Sequence, residues 1–557
     1  MKILGIHDGH NASACLLEDG KIKWAIQEER LTNEKNRGGF PEKAVKKILE
    51  LENLAPEGID YVTMASRSTP FGSSREQRVK DFRKSKSFFR KVKEILRETP
   101  AYDVHVMIQQ RRRIRNLKNL GFSGKQIVFV DHHLCHAATA YFGSPWRKKV
   151  LVLTNDGRGD MLCASVWIGN NGNLEKISET EEGNSVGEIY AKTTFLLGFV
   201  PLEHEYKLMG MSPYVKSEKR IEQAYEIYRN YLHIDGTKIK RDIDEKTHMI
   251  LPRLKADLEY MRFDWICAGL QKFTEQVLIE WVKNCIKKTG IKRVCMAGGV
   301  FMNVKANKAI SELKEVKEMF IFPSCGDESI SIGAAYWIYH TKTGKSIEPI
   351  GSIYYGPSFE NSDAEKVLKK EKYKYKKSKD IEKEVAKLVA KGEIVARCKG
   401  RLEFGARALG NRSILADPIK RDVVRIINDM IKNRDFWMPF APSMLKERER
   451  DYIINPKKIE SPYMIMAFDT TKNREEMFAG MHPSDFTARP QVVTKEHNPE
   501  YHKILKEFER LTGRGVVLNT SFNLHGYPIV YGPEEALWVF KNSGLKYLAL
   551  GDYLVWK

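Results

Sequence analysis

The 557-residue sequence predicts an α/β protein: a duplicated nucleotide-binding core followed by a second α/β domain. Two stretches that share one plan, and a change of composition near residue 350, carry that prediction. The first stretch, ILGIHDGHNASACLLEDGKIKWAIQEER, runs as apolar strand, Asp-Gly turn, strand, glycine turn and third strand, and VLVLTNDGRGDMLCASVWIGNNGNLEKISET from Val150 repeats it. Apolar runs broken by glycine turns read as hairpins. A repeated hairpin with an acidic glycine turn can set two backbone loops, N–H groups outward, against phosphates. A third unit, KRVCMAGGVFMNVKANKAI, is a strand, Gly298-Gly299 and a helix whose N-terminal dipole favours an anion.

Between the repeats lies DHHLCHAATAYF, which reads as helix and sets His132 and His136 four residues apart. Imidazoles at i and i+4 share one helical face and can close on one metal ion. Asp156 ends the strand VLVLTNDGRGD, with Asp160 close behind, and Asp327 follows another strand in FPSCGDESISIGAA. Two imidazoles with carboxylates from strand ends form a mixed set suited to Fe(II), Mn(II) or Zn(II), with positions open for substrate oxygens. Cys135 faces away from the histidine pair and reads as core.

The boundary near residue 350 is marked by TKTGKSIEPIGSIYYGPSF, a connector punctuated by glycine and proline. Beyond it, residues 362–390 are rich in Lys and Glu and read as one helix leading to the strand GEIVARCKG. GRLEFGARALGNRSILADP then carries Arg401, Arg407 and Arg412 among glycines, the makings of a polyphosphate or carboxylate site. IKNRDFWMPFAPS, TARPQVV and VVLNTSFNLHG add Lys, Arg, Ser and Asn at strand ends and turns.

Composition narrows the classes. Apolar residues make up 42% and aromatics 10%, as in a folded globular protein, and no apolar run reaches membrane-spanning length. MKILGIHDGHNAS enters a strand with no signal-peptide pattern, and the eight scattered cysteines form no CxxC pair, so a reducing cytoplasmic location is expected. The net charge of +21 concentrates in residues 75–118. A solvated helical face and a docking surface for a polyanion such as RNA both fit such a segment. The missing aromatic interleaving favours the solvated face.

Taken in order, HNASACLL, EERLTNEKN, DHHLCHAATAYF, NDGRGD, EYKLMGMSPY, AGGVFMN, GDESISIGAA, GRLEFGARALGNRSILADP, MPFAPS, TARPQ and LNTSFN resemble the NodU/CmcH-type carbamoyltransferase family. The resemblance implies an N-terminal domain of the actin-like ATPase superfamily (ribonuclease H-like) over residues 1–350, bearing the metal and the carbamoyl transfer, and a YrdC-like domain over 351–557. ATP and carbamoyl phosphate would serve as co-substrates for a carbamoyl-adenylate formed in the second domain, and the carbamoyl group would pass to a hydroxyl of a small-molecule acceptor. His132, His136, Asp156 and Asp327 would be metal ligands, with iron, as Fe(II), the implied ion. His10 would be the catalytic histidine, and a turn histidine capping backbone is its bland alternative. Gly298, Gly299 and Asn303 would hold the nucleoside in the first domain. Arg401, Arg407, Lys432, Arg434, Arg489 and Ser521 would grip ATP and carbamoyl phosphate in the second. Three residues depart from the family's pattern: Ala406 for proline, Phe486 for glycine and Tyr527 for glutamate. The competing readings are carbamoylation of a macromolecule such as tRNA or a protein thiol, and an actin-like ATPase or sugar kinase. The acceptor and the oligomeric state are not written in the sequence.

Overall fold

Short, continuously buried runs build β1 (Lys2–His7) and β2 (Ser13–Glu18), which with β3 (Lys21–Gln27) form an antiparallel meander, extended by parallel β4 (Tyr61–Ala65) and β5 (Gln126–Val130). The structure is a computed structural model that describes residues 1–68, 74–83, 99, 101–371 and 373–557. A second sheet repeats the plan with β6 (Val150–Gly159), β7 (Leu162–Asn170) and β8 (Asn173–Glu181), beside parallel β11 (Arg293–Ala297) and β12 (Glu318–Ile321). The strand orders, β3-β2-β1-β4-β5 and β8-β7-β6-β11-β12, are the same, which is the duplicated ribonuclease H-like plan of actin-like ATPases. A two-stranded ribbon, β9 (Leu232–Asp235) and β10 (Lys238–Arg241), forms a sheet of its own beside β8, where Ile239 N–H donates to Thr180 Oγ1.

The contacts divide the chain into two units, residues 1–32 with 36–350 and residues 33–35 with 351–557. The second unit holds an eight-stranded mixed sheet. Its order is β13 (Lys374–Lys377), β23 (Tyr553–Trp556), β22 (Tyr547–Leu550), β14 (Val395–Cys398), β15 (Arg412–Ala416), β21 (Val516–Ser521), β16 (Ala441–Leu445) and β20 (Gln491–Val493). Both of its faces are covered: Val395, Leu415, Val517 and Ala549 pack into one apolar cluster, and their neighbours Ala396, Ile414, Leu518 and Leu548 into another. A small sheet of β17 (Ile453–Ile454), β18 (Phe468–Thr470) and β19 (Thr487–Ala488) completes the unit's strands among the described residues.

Two expectations need correction. Residues 362–390 are not one helix. Helices Asn361–Glu371 and Ile381–Ala390 flank β13, a lysine-rich edge strand paired with β23, and the Asp380 side chain caps the second helix by accepting from Lys383 N–H. The basic segment is not a uniform solvated face either. Residues 84–98 and 100 lie outside the described residues, and in the helix Ala101–Asn119 Arg111 and Arg112 are exposed while Arg113 is buried. Arg113 forks onto both oxygens of Asp8 at 2.8 and 2.7 Å and donates to the carbonyls of Ser66 and Ala65. Arg113→Ala would leave Asp8 buried without its cation, so about 3–5 kcal/mol of stability should be lost in a urea titration. Arg111→Ala and Arg112→Ala should stay within about 0.5 kcal/mol of the parent.

All eight cysteines are free and buried, Cys135 among them. No helix among the described residues is long and apolar enough to cross a membrane.

Candidate functional site

Asp131 caps the helix His132–Gly143 by accepting from Leu134 N–H, which fixes where the i, i+4 histidines begin. This helix packs against the helix Ile330–Thr343 at Gly333, where a Cβ would stand 2.0 Å from the Cys135 carbonyl oxygen. That close approach places Asp327, in the turn before the second helix, over the two imidazoles. Asp156 comes from β6 where the ladder with β7 loses register between Asn155 and Gly159, a bulge that turns the strand end. His132, His136, Asp156 and Asp327 thus offer nitrogen and oxygen atoms all within 4.8 Å of one another.

Within this group His132 Nε2 lies 3.3 Å from Asp156 Oδ2 and 3.6 Å from Asp327 Oδ1, and His136 Nε2 lies 3.5 Å from Asp327 Oδ1. Both ring nitrogens of His136, and Asp327 Oδ1, are buried without a hydrogen bond to any described residue. Buried polar atoms without partners are costly, and a pair of imidazoles with two carboxylates is a donor set that fits one divalent cation. Electrostatics agree. Burial alone would push the His132 imidazolium down, but Asp327 and Asp156 together raise it to about 9. Burial would raise the Asp156 carboxyl as well, yet the histidines hold it well below the usual carboxylate range. Burial and repulsion from Asp156 push Asp327 up.

Neighbouring residues brace the cluster. His132 Nδ1 is 2.9 Å from Ser66 Oγ, a contact that orients the ring from its far nitrogen. Asp160 is not one of the four; its carboxylate accepts from the backbone N–H groups of His132, Arg67 and Ser68. His7 Nε2 faces His10 O at 2.8 Å and Asp327 Oδ2 at 4.0 Å, and burial keeps its imidazole neutral, so Nε2–H donates to the His10 carbonyl. His10 is buried in this turn and is tied to the cluster through His7. Sequence reasoning missed Ser66 and His7. The HDGH spacing alone did not say which of its histidines faces the acidic end of the cluster.

The glycine loop after β11 has a structural duty. Gly298 has φ of +110°, and a Cβ there would meet the Asn155 carbonyl oxygen at 2.2 Å. Gly299 N–H donates to Asp156 Oδ1 at 2.8 Å, so this loop steadies a member of the acidic cluster. Asn303 caps the helix Val304–Glu312 through Ala306 N–H and exchanges two amide hydrogen bonds with Gln271.

In the second unit a cavity is lined by Ala406, Arg407, Arg434, Arg489, Asn519 and Ser521, among others. Arg407 lies between Gly405 and Gly410 on a loop pinned by buried Glu403, whose Oε1 accepts from the N–H groups of Leu409, Asn411 and Arg412. Arg489 has no carboxylate at ion-pairing distance among the described residues; burial, then repulsion from Arg407 and Arg434, lowers its guanidinium pKa. Three guanidiniums lining one cavity suit an anion. Buried Lys432 closes a short irregular helix and donates to Ser521 O, to Ser521 Oγ at 3.1 Å and to Asn523 Oδ1 at 2.7 Å. Burial and Arg434 push its ammonium well below the ordinary lysine value. Arg401 does not line this cavity; its guanidinium donates to the carbonyls of Gly356 and Tyr355. Phe486, which stands where the family has glycine, has φ of +58°, and its ring lies under Arg474 at 4.1 Å. Tyr527 packs against Trp538, and its carbonyl accepts from Asn523 Nδ2.

Comparison with known proteins follows the same two units. The family described as carbamoyltransferase N-terminus matches residues 2–336, and that described as carbamoyltransferase C-terminus matches residues 386–557. The chain is 33% identical to an uncharacterized protein of Methanocaldococcus jannaschii, over 100% of this chain and 99% of that protein. It is 29% identical to the nodulation protein NolNO of Sinorhizobium fredii, over 98% of this chain and 79% of that one. Among solved structures, full-length HypF in a phosphate- and nucleotide-bound form is 13% identical, with 62% of this chain and 47% of that chain covered at a TM-score of 0.38. Component A of the Acidaminococcus fermentans (R)-2-hydroxyglutaryl-CoA dehydratase gives 16%, 62%, 100% and 0.34 for the same quantities. The fold assignment rests on the strand order of the two sheets. Matched in order by both families across its two units, the chain belongs to the carbamoyltransferases.

Proposed function

We propose that this carbamoyltransferase is ATP-dependent, forms carbamoyl-adenylate from ATP and carbamoyl phosphate, and passes the carbamoyl group to a hydroxyl of a small-molecule acceptor. The convergence of Arg407, Arg434 and Arg489 on one cavity in the second unit supports this reading most directly. Three guanidiniums suit phosphate groups, and a neutral carbamoyl group is a poor electrophile that needs a good leaving group. Carbamate, released from its phosphate by water, attacks the α-phosphorus of ATP and pyrophosphate departs. The acceptor oxygen then attacks the carbamoyl carbon and AMP leaves. His10 is the residue proposed to take the acceptor's proton, a task for which an imidazole suits neutral pH.

In the first unit His132, His136, Asp156 and Asp327 would hold one divalent ion, of iron, manganese or zinc, which when bound would polarise the carbamoyl carbonyl. His132 keeps a proton up to about pH 9, and a ligand nitrogen must give that proton up. Metal uptake at pH 7 should therefore release protons, that of His132 among them. Apparent affinity should rise with pH toward about pH 9. Calorimetry in buffers of different ionisation enthalpy reads those protons directly, and affinity independent of pH between 6 and 8 would contradict the assignment.

The experiment that tests the reaction omits the acceptor. The protein with ATP and carbamoyl phosphate should release pyrophosphate and hold an AMP-linked carbamoyl product. Release of ADP in place of pyrophosphate would favour the kinase-like alternative.

A further inference from the structure

Asn519 is 2% exposed and lines the three-arginine cavity, yet its side-chain oxygen has no hydrogen-bond partner among the described residues. The orientation of its amide is fixed by what lies on the other side. Nδ2 is 3.2 Å from the Ala408 carbonyl oxygen, 3.0 Å from Ser443 Oγ and 3.2 Å from Gln491 Oε1. A backbone carbonyl only accepts. Gln491 in turn must present its oxygen, because its own Nε2 donates to the Leu409 carbonyl at 2.9 Å and its Oε1 receives Ser443 Oγ–H at 2.8 Å. A flipped Asn519 amide would set oxygen against oxygen at Ala408 and Gln491, so Nδ2 holds the network and Oδ1 is left as a desolvated acceptor.

Arginine and lysine offer only donors, so a buried acceptor left without a donor beside them does nothing for a phosphate. It suits a ligand that carries a donor next to its anionic group. We propose that Asn519 Oδ1 accepts from the amino group of the carbamoyl moiety and so makes the cavity specific for carbamoyl phosphate over acyl phosphates that lack an N–H. This inference rests on the cavity being the carbamoyl phosphate site. Acetyl phosphate is the diagnostic competitor, because it replaces the amino group with a methyl of similar size and keeps the phosphate. A site built to receive a hydrogen bond rejects an analogue that cannot make it.

The test is a titration of the full chain with carbamoyl phosphate and with acetyl phosphate. The parent should bind carbamoyl phosphate at least tenfold more tightly. Asn519→Ala should bring the ratio within twofold, through weaker binding of carbamoyl phosphate alone. Asn519→Ser, which retains a donor toward the Ala408 carbonyl, should behave alike and serves if the alanine variant does not fold. No preference in the parent, an unchanged ratio in the variants, or equal weakening of both ligands would overturn the inference, the last by showing a purely structural role. Arg489→Ala separates the two levels. If it weakens both ligands tenfold or more while Asn519 variants keep the ratio, the specificity assignment falls and the anion site stands. If it weakens neither, the cavity is not the phosphate site and both readings fall.

Discussion

His136→Ala is expected to remove the divalent ion and to lower carbamoyl transfer by roughly a thousandfold, about 4 kcal/mol of transition-state stabilisation. His136 is the better probe of the cluster than His132. Its ring nitrogens have no hydrogen-bond partner among the described residues, whereas His132 is bonded to Ser66 and Asp156, so its removal would disturb the fold as well. The loss at His136 should be that of a buried ring, and the variant should remain folded by circular dichroism. Metal analysis of the purified protein decides the matter: full occupancy in His136→Ala would rule out the four-residue set.

The second large effect concerns the separation of the two chemistries. Arg489→Ala and Ser521→Ala should cut acceptor-independent pyrophosphate release by about a hundredfold, the scale expected for an electrostatic group lost from a phosphoryl-transfer site. His10→Asn should retain pyrophosphate release and lose the carbamoylated product. Arg489 is preferred to Lys432 here because Lys432 also satisfies the Ser521 carbonyl and Asn523 Oδ1, and its loss would strand buried acceptors. Should His10→Asn stop pyrophosphate release as strongly as Arg489→Ala, adenylation and transfer do not occupy separate sites.

The convergence of His132, His136, Asp156 and Asp327 was legible because each signal is local: a helical spacing of four, and carboxylates where apolar runs end. The duplicated hairpins were legible for the same reason. Which arginine faces the cavity was not. Arg401 and Arg407 sit in one glycine-rich run, and only the fold decides that Arg401 binds the carbonyls of residues 355 and 356 while Arg407 points to ligand space. Asn519 was hidden more deeply, since its role comes from a partner 111 residues away in the chain. Strand β13 was lost in a Lys- and Glu-rich stretch because an edge strand exposed to water carries no apolar alternation to betray it. Phe486 shows the converse: the departure from glycine was visible, but only the positive φ of +58° shows what glycine relieves at that position.

The matching strand orders give Asp8 and Asp156 the same place in their respective repeats, each directly after the last regular pair of the first two strands, His7 with Ser13 and Asn155 with Ala164. Each is nearly buried and each has acquired a counter-cation, but of opposite kinds. Asp8 is held by a guanidinium that forks onto both of its oxygens, a fixed cation with no coordinating lone pair to offer. Asp156 is held by an imidazolium, a charge that can be withdrawn and replaced. One carboxylate position of the repeat is thereby a permanent rivet and the other an exchangeable socket. An arginine for His132 would be expected to fill the socket with a charge that cannot be withdrawn and to leave the protein deaf to metal, at a cost in packing, because the backbone at Gly159 closes on the His132 ring.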